Sequence, residues 1–232
     1  MLPTDDLAPA DRRPAVIDTP LGIVGFDVTL GSEALPATPN AVWRLANGSH
    51  LHRWQQRGAT VDLLLGGIDV PPWDGGAPVP MWAAIWQVRA TETVPALTIS
   101  AEVTDLPADA YGSPDPAECL AAITIENDHF MVSFGGPDTE LLAMQAADGR
   151  LMPTTWTQHL PTDDTTPDYG VHYPTPHRIT WQLPALAPQE AARLCIPTAW
   201  SPRDDDRPAA WYAIDLPLDT AYHHLTTGQV DC

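Results

Sequence analysis

The chain has 232 residues and a formal net charge of −19, from 30 acidic and 11 basic side chains, with 44% apolar residues. Every basic residue is an arginine. The absence of lysine excludes a Schiff-base lysine, a P-loop lysine and a lysine general base, since each needs the amine itself. The charge argues against nucleic acid, because phosphate binding relies on a basic surface. A basic protein partner, divalent cations, high salt or simple surface solvation would all suit it.

No apolar run approaches the ~18 residues of a membrane span, so a water-soluble, cytoplasmic protein with no membrane partner is expected. At the N-terminus acids and prolines precede Arg12 and Arg13, and no apolar segment of the signal-peptide kind follows. Cys119, Cys195 and Cys232 are odd in number and widely spaced, which argues for reduced thiols rather than a disulfide framework or zinc site. The length suits a proline-rich arm over 1–14 and a single large β-sandwich domain over 15–232. The alternative is two halves, 15–106 and 117–232, divided at the loop DLPADAYGSPDP.

In chain order, the 26 prolines and the lack of long helical spacing favour short strands. Residues 21–30 alternate, with Val24, Phe26, Val28 and Leu30 on one face. A two-residue turn at Asn47-Gly48 would pair Trp43 with His52, Leu45 with His50 and Ala41 with Trp54. Strands are expected at 61–65 and 81–90, the latter with Trp82, Ala84, Trp86 and Val88 on a core face. Residues 96–103 alternate as 21–30 do.

A turn at Asn127-Asp128 would pair Ile125 with Phe130, Ile123 with Val132 and Ala121 with Phe134, leaving Thr124, Glu126, His129 and Ser133 opposite. A third turn at Asp148-Gly149 would place Ala146 opposite Leu151 and Met144 opposite Pro153. Strands follow at 178–183, 194–200 and 211–216, with one helical turn at 188–193. The pattern predicts an all-β, antiparallel β-sandwich, jelly-roll-like or of two packed sandwich halves, with little helix.

His50 and His52 alternate onto one strand face, the way β-barrel metalloenzymes present two ligands of a divalent metal. Such a site calls for a glutamate a few residues on, where the chain has Gln55 and Gln56. His159, His172 and His177 accompany Asp163, Asp164 and Asp168 in a loop that matches no metal or catalytic signature. Asp204, Asp205 and Asp206 are flanked by Arg203 and Arg207, which neutralise them locally. On a strand His223 and His224 would point to opposite faces. No GxSxG, glycine-rich phosphate loop or reactive-cysteine motif occurs.

Nine tryptophans fill a core or, exposed, serve ligands or interfaces; Trp43, Trp54 and Trp73 are the candidates for the second role. With catalytic residues and cofactors both absent from this reading, the expectation is a non-enzymatic protein-binding or assembly protein. Its partner would be another protein, possibly basic, in the manner of an immunity-like inhibitor or a subunit of a bacterial or phage-like assembly. The alternative is a carbohydrate- or small-molecule-binding β protein, or a metal-assisted enzyme using His50 and His52.

Overall fold

The computed structural model describes residues 7–56, 58–69, 79–160, 169–204 and 208–227. Its first strands are β1 (Ala8–Pro9), β2 (Val16–Thr19), β3 (Gly22–Leu30), β4 (Glu33–Ala34), β5 (Ala41–Arg44) and β6 (His50–Gln56). Then come β7 (Ala59–Gly67), β8 (Met81–Ala90), β9 (Leu97–Thr104), β10 (Tyr111–Pro114), β11 (Leu120–Glu126) and β12 (Phe130–Pro137). Helix α1 (Thr139–Asp148) and a 3-10 turn at Thr154–Gln158 precede β13 (Gly170–Thr175), β14 (Arg178–Leu183) and β15 (Ala191–Pro202). The last elements are α2 (Ala209–Ala213) and α3 (Leu218–Thr227).

The strands form two antiparallel sheets. Nine run in the order β1-β5-β6-β7-β8-β15-β12-β11-β10, and six form β13-β14-β9-β3-β2 with β4 on β3. The fold is the expected all-β sandwich. Alternation sends Val61, Leu63, Ala84, Trp86, Val88, Leu194 and Ile196 of the larger sheet onto Val24, Val28, Ile99, Val103, Ile179 and Trp181 of the smaller one. The larger sheet's other face is covered too. There α3 packs Leu218, Ala221 and Leu225 on Leu64, Ala83 and Ile85, and α2 packs Ala210 on Met81, Ala122, Met131 and Ala199. Among the described residues no helix is long and apolar enough to cross a membrane.

The three turns depart from their expected forms. At Asn47-Gly48 the observed pairs are Val42 with His52, Trp43 with Leu51 and Arg44 with His50, one residue out from the two-residue register. The cause is a three-residue loop, 46–48, closed by the Leu45 amide donating to the Ser49 carbonyl, with Gly48 at φ 90°. The slip moves Trp43 to the other face. At Asn127-Asp128 the pairs are Ile125 with Val132 and Ile123 with Phe134, a two-residue shift that preserves every face assignment. The loop is longer because the Asn127 Oδ1 accepts from the amides of His129 and Phe130, both at 2.9 Å.

Asp148-Gly149 is no hairpin. It ends α1, with Gly149 at φ 73° donating its amide to the Gln145 carbonyl, and Asp138 caps the other end by accepting from the Leu141 amide at 2.8 Å. Residues 211–216, expected as a strand, lie in α2 and the segment after it, and the expected helical turn at 188–193 instead enters β15. His223 and His224 sit on a helix, α3.

Replacing Asn127 by alanine removes the two amide contacts of its Oδ1 together with the Nδ2 donation to Asp109. It is expected to lower stability by about 1–2 kcal/mol. Asp128→Ala at the exposed tip should stay within about 0.5 kcal/mol. Urea unfolding of the two variants side by side checks both; equal effects would reject this description of the turn.

Candidate functional site

The site is built from the outer face of the nine-stranded sheet, where two neighbouring cross-strand rows differ in chemistry. One row, Leu51-Leu64-Ile85-Cys195, is apolar and lies under α3. The next, two residues along each strand, reads Arg53-Asp62-Gln87-Arg193 and is wholly polar. Asp62 is buried, and Arg53 meets it with two parallel hydrogen bonds, Nε to Oδ1 at 2.6 Å and Nη2 to Oδ2 at 2.9 Å. The planar guanidinium alone among cationic side chains offers this fork. Arg193, at the far end of the row, is half-buried and has no side-chain partner among the described residues.

Arg193 opens into a cleft of about 410 Å³. Its floor comes from β15, β12 and the start of β11, through Cys195, Pro197, Pro137 and Leu120. One wall is α1, with Leu141, Met144 and Gln145, and the other is the segment joining α2 to α3 together with the first turn of α3, with Asp215, Leu216 and Asp219. Asp148 and Arg150 flank the end of α1 and are hydrogen-bonded to each other. That bond, then the charges of Asp148 and Asp219, raises the Arg150 pKa. The Gln145 Oε1 is buried without a partner. Two cysteines border the cleft, and neither is a thiolate: burial pushes Cys195 up to about 12, and desolvation followed by nearby carboxylates, Asp138 first, raises Cys119.

The candidates named from sequence lie elsewhere. His50, His52 and Trp54 share the inner face of β6, where His52 stacks on Trp54 with ring centroids 6.1 Å apart. The rings of His50 and His52 are 6.3 Å apart, and His52 Nδ1 is buried without a partner. Among the described residues no group of three or more His, Cys, Asp and Glu side chains is placed to hold a metal ion. Trp43 is on the outer face, its ring 5.2 Å from the Arg53 guanidinium carbon. Trp73 lies outside the described residues, as do Asp163, Asp164, Asp168, Asp205, Asp206, Arg207 and Cys232. His159 packs edge-on against Tyr169, and His172 lies on β13 with Nε2 buried and unpartnered.

No family model and no curated protein matches the chain. Among solved structures, it is similar to one described as a kojibiose phosphorylase from the human microbiome, at 5% identity and a TM-score of 0.46. The match covers 87% of this chain and 25% of that one, so the chain spans about a quarter of that protein's length. The expectation of a non-enzymatic protein-binding or assembly protein is corrected here. The sheet's outer face carries a concave cleft in which polar side chains converge over an apolar floor, where an assembly surface would be flat with an apolar centre.

His52 gives the fold an acid limit. Burial, then the charge of neighbouring His50, lowers its pKa from 6.5 to about 4. The folded state therefore holds it neutral while the unfolded chain protonates it below about 6.5. Stability from this group is complete above that value and falls as the pH drops to 4, by roughly 3 kcal/mol. His52→Phe should flatten the stability profile between pH 6.5 and 4, measured by urea unfolding at each pH. An unchanged slope would show that other groups set it.

Proposed function

We propose that the chain takes a small, neutral, polyhydroxylated ligand, a sugar or sugar-like polyol, into the cleft beside Arg193. The observation that carries this reading is the mixture of donors and acceptors around an apolar floor. Arg193, Arg150 and Gln145 offer N–H groups, and Asp148, Asp215 and Asp219 offer carboxylate oxygens. Hydroxyls donate and accept from one atom, so a polyol can meet both sets. An anion would face three carboxylates, and the guanidinium of Arg150 is already bonded to one of them. An amine would face two guanidiniums. Leu120, Leu216 and Pro197 provide the apolar surface on which the C–H face of a sugar ring can rest.

Saturation-transfer NMR and calorimetry with glucose, galactose, maltose and myo-inositol test this. At least one should bind saturably, with glucuronate weaker than glucose. Arg193→Ala and Asp215→Asn, both on the cleft wall rather than in the core, should each weaken binding about tenfold, or ~1.4 kcal/mol, with melting temperatures close to the parent's. No binding at about 10 mM, or binding indifferent to both substitutions, would sink the reading.

A further inference from the structure

The six-stranded sheet has a gap in its edge. Strand β2 pairs with residues 22–25 of β3 and β4 pairs with residues 29–30, so Phe26, Asp27 and Val28 have no strand beside them on that side. On that side the Leu35 amide donates to the Val28 carbonyl at 2.8 Å. Behind the gap is a notch of about 270 Å³ reaching between the sheets to Trp54 and Trp86. Phe26 meets Trp86 edge-on at 6.0 Å, and Trp54 lies 5.7 Å from Trp86.

The two indoles are not equivalent. Trp54 donates its Nε1 hydrogen to the Pro36 carbonyl at 2.9 Å, whereas the Nε1 of Trp86, a residue only 2% exposed, is buried with no acceptor. A buried indole N–H normally has a partner, and leaving it without one is costly. At the mouth, Asp27 and Glu102 share one arginine, Arg178, at 3.4 and 2.9 Å, so that among the described residues two carboxylates meet a single cation.

We infer that this notch is a second ligand site, independent of the Arg193 cleft, for a small flat heteroaromatic ring that carries a hydrogen-bond acceptor and, on a short arm, a basic amine. The flat ring system lies against Phe26, Trp54 and Trp86, the acceptor takes the Trp86 N–H, and the amine, on a short arm, passes the open strand edge to Asp27 on the sheet's outer face. A cavity of ~150 Å³ holds a benzene, so this one has room for two fused rings. The aromatic faces and the carboxylates both favour positive charge and oppose an anion.

The test is calorimetry of the full chain with 4-(aminomethyl)quinoline, whose ammonium carries the charge while its ring nitrogen stays free to accept, and, as its anionic counterpart, quinoline-4-carboxylate. The amine should bind saturably at one site, and the carboxylate at least tenfold more weakly. Trp86→Phe, which keeps a ring but removes the donor, should weaken amine binding about tenfold. Asp27→Asn, at a side chain 67% exposed and so harmless to folding, should weaken it several-fold. Glucose at saturating concentration should leave the amine's affinity unchanged, which separates this site from the cleft. Absence of saturable binding, equal affinity for amine and carboxylate, or unchanged affinity in Asp27→Asn would overturn the proposal.

Discussion

The nine-stranded sheet is buried on both faces, and the rest of the molecule is arranged around that requirement. Antiparallel sheets usually leave one face in water and so alternate apolar with polar residues. Here β8 reads Met-Trp-Ala-Ala-Ile-Trp-Gln-Val-Arg-Ala, with apolar residues at successive positions, because Ala84, Trp86 and Val88 face the second sheet while Met81, Ala83 and Ile85 face the helices. The helices are consequences of the outer face. Without α3, the Leu51-Leu64-Ile85-Cys195 row would be open to water. Gly66 of β7 belongs to the same arrangement: a Cβ there would come within 2.9 Å of the Leu225 side chain and 2.3 Å of the Ser49 hydroxyl, so its absence lets α3 settle on the sheet.

Helical cover stops where the rows change character. The apolar row is followed by the Arg53-Asp62-Gln87-Arg193 row, and the sheet passes from core to site within two residues along each strand. Burying Asp62 is tolerable only because Arg53 supplies both hydrogen bonds and is itself laid against Trp43. The other end of the row has no such closure, and Arg193 faces the cleft that α1 and the α2–α3 segment enclose. A continuous sheet thus gives a rigid floor, and short helical segments give the walls.

Strand existence was legible from alternation, and the boundaries at 81–90 and 178–183 coincide with the observed ones. Registers were harder, because Asn-Gly and Asn-Asp mark a turn without fixing its length. Gly48 serves a three-residue loop, and Asn127 extends its turn by capping two amides. Asp148-Gly149 shows a deeper ambiguity: a glycine with positive φ suits a hairpin and a helix end equally. The deciding signal lay upstream, where Asp138 is a good N-cap and Leu142, Ala143 and Ala146 recur at helical spacing. The cleft had no motif to find, since its polar side chains come from α1, α3, β15 and two connecting segments. Reading 188–193 as a helical turn also hid that Arg193 shares a strand face with Cys195 and Pro197, which was the one available clue.

The lysine-free composition acquires a structural meaning at these positions. Arg53 forms two bonds to one carboxylate while stacking on an indole, and Arg178 spans Asp27 on β3 and Glu102 on β9 from β14. Each task uses the width and planarity of a guanidinium, and an ammonium, a compact point charge, could satisfy only part of either. Both arginines are largely withdrawn from water, with side chains 12% and 31% exposed, where a strongly hydrated ammonium would lose more on burial than a guanidinium does. In a chain this acidic, cationic side chains are scarce. Placing arginines across strands, where one residue ties two or three elements, stabilises the sheet far more than the same charge would at a solvated rim.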